Sequence, residues 1–532
     1  MWNIGKDPIK NAIRNGETAL GIEFGSTKIK AILLTKDFDL AASGSHDWAS
    51  SYKDGIWTYS LGDVWEGLQD CYRKLAGSVE EKYGLSLKKI GCIGISAMMH
   101  GYLAFDRSGK LLTPYRTWQN TMTGDASSKL SSLFHFNIPQ RWSVSHLYQA
   151  ILNGESHVSH IAFLTTLAGY VHWKLTGQKV LGIGDASGMF PIDSGTKDYD
   201  AGMMETFQSL VSSRFPWKIQ ELLPRVLAAG ENAGTLTAEG ARLLDPSGEL
   251  SEGIPFCPPE GDAGTGMVAT NSVAACTGNV SAGTSIFSMV VLEKPLKKYY
   301  PEIDMVATPA GKPAAMVHCN NCTNDMNAWV NFLSEFSGMM GRKEGLDSIY
   351  PKFYRKALEG DPDCGGLLIY NYLAGEPVTG VMEGRPMLIR TPKSRFTLAN
   401  FCRASIYATL ATLKIGMDIL SSENVTIRRL TGHGGLFRHA GTGAKFLSAA
   451  LNVPVSTMET AAVGGPFGMA LLAAYHLEKS GKEKLDDFLS NRVYAGTKIT
   501  VTRPNPVDVE GFKKFLTRFQ AGLPAEKAAE KI

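Results

Sequence analysis

Apolar and polar positions alternate along "LGIEFGSTKIKAILL" (residues 20–34), break at a Gly-Ser-Thr step and resume beyond it. That pattern predicts two strands joined by a glycine turn. It returns at "NVSAGTSIFSMVV" (279–291), where Gly283, Thr284 and Ser285 make the break. Gly25 and Gly283 stand 258 positions apart in a chain of 532, which predicts a duplicated architecture with one hairpin per half. Helical spacing over 63–75 is followed by a continuous apolar run over 89–97 that predicts a buried strand. Helices are predicted over 145–154 and 160–177, the second ending at a C-cap, Gly177. A Pro- and Gly-rich patch, "GIPFCPPEGDAGTG" (253–266), predicts a separator between the halves. Beyond it "NVTIRR" (424–429) predicts a strand, and 404–420, 464–481 and 508–520 predict helices. The fold class is α/β.

Glycine at such a bend admits a ligand close to the backbone, and Ser26, Thr27, Thr284 and Ser285 offer hydroxyls and turn amides to an anion. A solvent-facing turn is the competing account of either hairpin alone. Two of them, one on each side of a cleft, would grip a polyphosphate. At 532 residues the chain exceeds what one core serves, so at least two domains are expected. A net charge of +3 implies neither nucleic acid nor a membrane surface as a partner. "WNIGKDPIKNAIRNGE" carries charges where a leader needs an apolar core, and no run is apolar for a membrane span, so a soluble cytoplasmic protein is expected. Eight scattered cysteines predict reduced, buried thiols. His318, Cys319 and Cys322 make half of a zinc or redox signature, and no second pair follows, which favours a structural role.

No Gly-x-x-x-x-Gly-Lys-[Ser/Thr] string occurs, so a P-loop is excluded. "GTGMVA" (264–269) satisfies a dinucleotide pattern, but no acid follows until Glu293. Asp262 precedes a small-residue helix and reads either as its N-cap or as a general base, and the two roles are compatible because a helix N-terminus favours an ionised carboxylate. "LTGHGGLFRHAGTG" (430–443) is bare enough for close contact with a base or ribose, or is a flexible loop. "MMHGYLAF" (98–105) sets His100 at the end of a buried strand, where open sheets bind ligands, although a lone histidine there is more often structural.

Taken in order, these strings resemble the FGGY carbohydrate kinases, which pair two RNase H-like lobes in the manner of actin, Hsp70 and hexokinase. The resemblance runs from about residue 19 to 480. The family's opening Gly-[Ile/Leu]-Asp-x-Gly-[Thr/Ser] falls on 21–26, its Gln-Met-His-Gly on 98–101 and its Trp-x-Asp-x-Arg on 118–122. "LTG" (175–177), "DASG" (185–188), Asp193, "GDAGTG" (261–266), "GTS" (283–285) and "GHGG" (432–435) follow in the family's order. Glu23 stands for the family's aspartate, Asn120 and Met122 for its acid and arginine, and Pro377 and Val378 for the arginine and threonine after Glu376.

The resemblance implies two lobes with a ligand cleft between them: an extension at 1–18, a sugar-binding lobe at 19–258, a nucleotide-binding lobe at 259–485 and a helical tail at 486–532. It implies an ATP- and Mg²⁺-dependent sugar kinase. Asp262 is the catalytic base. Gly25, Ser26, Thr27, Gly283, Thr284 and Ser285 hold phosphates, and Gly432, Gly434 and Gly435 lie against adenosine. Met99, His100, Trp118, Asn120 and Asp262 meet the sugar, and Glu23 and Asp262 hold the metal through water. "MHG" points to a ketopentose, xylulose or ribulose. The expected partners are a sugar and ATP, without nucleic acid or membrane, and a homodimer is left open. An actin- or Hsp70-like ATPase and a non-catalytic sugar sensor are the alternatives.

Overall fold

The computed structural model describes residues 6–211, 214–342, 344–438, 441–458 and 464–532. Residues 1–5 of the N-terminal extension and 439–440 of the glycine-rich stretch lie outside the described residues. The chain divides into two compact units, and neither is continuous in sequence. The first gathers 1–273, 304–314 and 463–497, and the second gathers 274–303, 315–462 and 498–532. These bounds differ from consecutive lobes at 19–258 and 259–485: Asp262 belongs to the first unit, and so does the apolar helix Gly465–Glu478.

The first unit is built on a five-stranded sheet. Its strands are β1 (Thr18–Phe24), β2 (Lys28–Thr35), β3 (Leu40–Asp47), β4 (Cys92–Ala97) and β5 (Glu260–Gly261), in the order β5-β4-β1-β2-β3. β1, β2 and β3 form antiparallel hairpins, whereas β4 runs parallel to β1 and β5 parallel to β4. Every residue of β1 and β4 is buried, because helices cover the sheet. Helix Leu61–Tyr83 starts at Ser60, whose side chain accepts from the Asp63 amide, and stops at Gly84 in the left-handed conformation. Helix Gly465–Glu478 lies on β1 and β4 with buried residues on all sides. Two glycines permit that approach: a Cβ on Gly21 would overlap the Pro466 carbonyl and the Ala470 amide, and one on Gly94 would strike the Met469 side chain.

A seven-stranded sheet, most of whose strands belong to the second unit, repeats the plan with β6 (Thr277–Ala282), β7 (Ile286–Val291), β8 (Ile303–Ala307, counted with the first unit from Asp304), β9 (Pro313–Cys319), β10 (Arg429–Gly434), β11 (Val455–Met458) and β12 (Ile499–Thr502), in the order β8-β9-β7-β6-β10-β11-β12. β6 and β7 make the antiparallel hairpin, and β10 and β11 add in parallel, as β4 and β5 do in the first sheet. Both glycine breaks are therefore hairpin turns at the same station of the same topology. Helix Pro506–Ala529 is part of this unit's core through Phe512, Phe515 and Phe519, and β12 (Ile499–Thr502) is a strand of its sheet.

Three local expectations shift. The predicted helix over 160–177 is a strand, Phe163–Thr165, then a helix, Leu167–Thr176, because Thr166 caps the helix by accepting from the Gly169 amide. The strand expected over 424–429 begins at Arg429 and runs into the glycines, where its hydrogen bonds to β6 and β11 outweigh their low strand propensity. The patch at 253–266 is no separator: Phe256 bridges to Ile93, and Glu260 and Gly261 form β5. Among the described residues no helix is long and apolar enough to cross a membrane.

Gly21→Ala forces a methyl into the backbone of helix Gly465–Glu478 and is expected to destabilise the protein by about 1–3 kcal/mol, as overpacked cores do. Urea unfolding measures the change.

Candidate active site

The first hairpin turn, residues 25–27, is tied down by its carbonyls. Trp48 Nε1 donates to Gly25 O (2.7 Å), Tyr59 OH to Ser26 O (2.7 Å) and the Trp48 amide to Thr27 O (3.1 Å). The two rings that do this stack on each other at 4.1 Å. The Gly25 amide closes the turn on Lys28 O (2.9 Å). The amides and hydroxyls of Ser26 and Thr27 have no internal partner among the described residues, so the turn shows its donor side outward.

The sheet order then sets three chain ends beside one another. β4 pairs with β1 so that Ala97 faces Phe24, and β5 pairs with β4 so that Gly261 faces Ala97. Glu23, Met99 and Asp262 thus lie at neighbouring carboxyl ends of parallel strands, the position where open sheets take ligands. Asp262 Oδ1 accepts from the Met99 amide (3.1 Å) and from the Ala263 amide (3.0 Å). Gly261 is the assigned N-cap of helix Asp262–Ala269, and Asp262 opens its first turn. Burial raises the Asp262 carboxyl above its ordinary range, while those two amides pull it down.

Glu23 is buried and faces Lys30 across the hairpin, Oε2 standing 3.6 Å from Nζ. Its Oε1 fills the space beside Gly465, where a Cβ would collide with it, at the first turn of helix Gly465–Glu478. Burial pushes this carboxyl up to about 7; Lys30 opposes the shift and the charge of Asp262 adds to it. A divalent cation near both groups would relieve that cost. Among the described residues no cluster of three or more His, Cys, Asp or Glu could hold a metal, so the donor set suits an ion that keeps most of its waters and takes one or two carboxylates.

Two further acids, neither assigned a role from the sequence, border Asp262. Glu260 is fully buried and accepts from the amides of Gly184 (3.2 Å) and Asp185 (2.9 Å). A Cβ on Gly182 or Gly184 would strike its carboxylate, so the acid sits in a glycine cradle. Burial first, then the Asp185 charge, pushes Glu260 up to about 8. Asp185 Oδ2 accepts from Thr166 Oγ1 (2.6 Å), Oδ1 is buried without a partner, and burial lifts the group to about 7 with a contribution from Asp262. The sequence signals for this cluster are the string "DASG" (185–188), which holds Asp185, and an acid in the apolar string "FCPPEG" (256–261).

His100 is buried with φ +74°, a left-handed backbone that is costly for a side-chain-bearing residue. Its ring stacks on Trp142 at 6.2 Å, and Nδ1 lies 3.3 Å from Gly188 O. Asn120 is spent on backbone: Oδ1 accepts from the Trp57 amide (2.9 Å), and Nδ2 donates to Trp57 O (2.8 Å) and Thr117 O (3.0 Å). It fixes Trp57, which like Trp118 is 37% exposed.

In the second unit the turn at 283–285 is closed by the Gly283 amide on Ser285 O (2.9 Å), and its carbonyls are also taken. Thr323 Oγ1 donates to Gly283 O (2.7 Å) and the Cys322 amide to Thr284 O (3.0 Å). β10 pairs with β6 so that Gly434 faces Ala282, which brings the 432–435 glycines beside this turn. A Cβ on Gly434, at φ +95°, would overlap Ala282 O. Cys319 and Cys322 are buried, free thiols.

Two family models match the chain: the N-terminal domain of the FGGY family of carbohydrate kinases over residues 18–269, and its C-terminal domain over 278–477. The xylulose kinase of Haemophilus influenzae is 22% identical over 356 residues, 64% of this chain and 67% of that protein. The crystal structure of xylulose kinase from Rhodospirillum rubrum superposes with a TM-score of 0.76 at 18% identity, covering 96% of this chain and 98% of that one. Gluconate kinase from Lactobacillus acidophilus gives 0.78 at 16% identity, with 96% and 98% covered.

Glu23, Asp185 and Glu260 all bind protons more tightly folded than unfolded, so their stabilising contribution is complete below the unfolded values of 3.8 to 4.5 and is lost progressively as pH rises through about 7 to 8. The ligand-free protein is expected to melt progressively lower from pH 5 to pH 8, and Glu260→Gln is expected to flatten that decline. Scanning calorimetry across this range checks both slopes.

Proposed function

The chain belongs to the FGGY family of carbohydrate kinases, and we propose on that premise that it moves the γ-phosphoryl group of ATP to a hydroxyl of a ketopentose, xylulose or ribulose. The observation that carries the chemistry is Asp262 at the convergence of three strand ends, with Oδ1 held by two amides. In this reading Asp262 accepts the proton of the sugar hydroxyl as its oxygen bonds to the γ-phosphorus. The bond from that phosphorus to the bridging oxygen breaks, and ADP leaves. The amides and hydroxyls of Ser26, Thr27, Thr284 and Ser285 bind phosphate oxygens, with Gly25 and Gly283 admitting them close to the backbone, and Gly432, Gly434 and Gly435 accommodate adenosine against bare backbone. Glu23 and Asp262 would hold Mg²⁺ through water, and the ion would offset the negative charge of the phosphates.

Met99 and His100 orient the acceptor, and Trp118 lines it. Asn120 contributes by presenting Trp57. The string at 98–101 and the likeness to xylulose kinases favour a ketopentose, and the gluconate kinase likeness makes sugar acids the comparison of choice. Family membership favours a sugar kinase over an actin- or Hsp70-like ATPase.

ADP release measured against ketoses, polyols and sugar acids is expected to rise most with xylulose or ribulose; release that ignores every sugar would refute the kinase assignment. Asp262→Asn is expected to lower kcat by about 10²–10⁴ with ATP affinity little changed, and full turnover would remove Asp262 from the role. Glu23→Ala, and Gly465→Ala through displacement of the Glu23 carboxylate, are both expected to raise the Mg²⁺ concentration needed for half-maximal rate. An unaltered metal titration in both would count against Glu23.

A further inference from the structure

The turn at 283–285 is held by a loop that takes no part in the reaction above. Cys322 and Thr323 supply that hold: the Cys322 amide reaches Thr284 O (3.0 Å), while the Thr323 amide (3.2 Å) and hydroxyl (2.7 Å) both reach Gly283 O. Asn321, the preceding residue, is buried and faces the segment 373–376 with its whole amide. Its Oδ1 accepts from the amides of Leu373 and Ala374 (2.9 Å each), and Nδ2 donates to Ala374 O (3.1 Å) and to Glu376 Oε2 (3.1 Å). The same Glu376 oxygen also accepts from the Asn321 backbone amide (3.3 Å). A carboxamide supplies acceptor and donor edges together; an ionised aspartate could not donate and would meet Glu376 as a second anion.

Glu376 is fully buried in a tight hairpin. Its amide donates to Val381 O (2.7 Å), its carbonyl accepts from the Val381 amide (3.2 Å), and residues between form a 3₁₀ turn begun by Pro377. Val378 is buried inside that turn. Proline sets φ for such a turn and needs no amide partner. The departures at 377 and 378 therefore build a stiff seat for Glu376 in place of the family's arginine and threonine.

We propose that Asn321 and Glu376 are positioning residues that fix the 283–285 turn, through Cys322 and Thr323, in the geometry that receives the phosphates of ATP. This rests on the proposed role of the turn. If the loop lost its seat, the carbonyls of Gly283 and Thr284 would be released, and a turn that can rotate them outward offers an anion repulsion in place of donors.

Steady-state kinetics of Thr323→Val, Asn321→Ala, Glu376→Gln and Ser285→Ala, with thermal melting alongside, test the proposal. Thr323→Val keeps shape and amide but loses the 2.7 Å bond; it is expected to raise KM for ATP about fivefold with KM for the sugar and the melting temperature little changed. Asn321→Ala is expected to raise KM for ATP tenfold or more, on the order of two lost hydrogen bonds. Glu376→Gln keeps an oxygen for Asn321 and is expected to stay near wild type. An unchanged KM for ATP in Thr323→Val and Asn321→Ala, or parallel rises for ATP and sugar, overturns the positioning role when Ser285→Ala still weakens ATP. If Ser285→Ala also leaves ATP untouched, the role of the turn itself falls.

Discussion

In the proposed reaction each hairpin turn seats an anion, and in both units the turn's own carbonyl oxygens are occupied elsewhere, which leaves its amides to dominate the local field. Amide and carbonyl dipoles alternate along a turn, so a turn left to itself shows a phosphate as much repulsion as attraction. At 25–27 the three carbonyls are taken by an indole, a phenol and a backbone amide. At 283–285 a threonine hydroxyl and two backbone amides do the same work. The two solutions share no residue types, although the turns share a sequence pattern and a place in the sheet. Duplication is thus visible in the topology and in the glycines, while the groups that give each turn its polarity were chosen separately.

A second constraint is steric. The helix Gly465–Glu478 contacts β1 and β4 more closely than side chains would allow, and the glycines that permit it also fix where Glu23 can go. Gly465 leaves room for Oε1, and the helix start provides the positive end of a dipole for it. Gly182 and Gly184 do the equivalent for Glu260. Burial raises Glu23 and Asp185 to about 7 and Glu260 to about 8, so the acids beside Asp262 carry less than their full charge near neutrality.

Much of this was legible in the sequence, because hairpins and buried strands are periodic. Gly25 and Gly283 stood out by repetition, and Asp262 by its place before a small-residue helix. What was not legible depended on contacts distant in sequence. No pattern around Asn321 announces that its partner lies 55 residues on, nor does "PPEG" reveal that Glu260 bonds to Gly184 and Asp185. A linear reading runs lobes consecutively, while the contacts of the fold group 464–497 with the first unit. The strand at 429–434 was hidden because glycine carries no strand signal until partners on both sides supply the hydrogen bonds.

The acceptor side shows how a substitution in a family string can move a role rather than abolish it. Where the family has an acid, Asn120 spends its carboxamide on Trp57 and Thr117. An aspartate there could accept from the Trp57 amide but could not donate to either carbonyl. In the proposed reaction the exchange therefore replaces a charged group that could bond a sugar hydroxyl with a neutral bracket on the backbone of Trp57. An indole discriminates by the apolar face of a sugar, a carboxylate by the direction of one hydroxyl. With His100 seated against Trp142 and Gly188 rather than free to swing, the acceptor in the proposed reaction is selected more by shape than by charge.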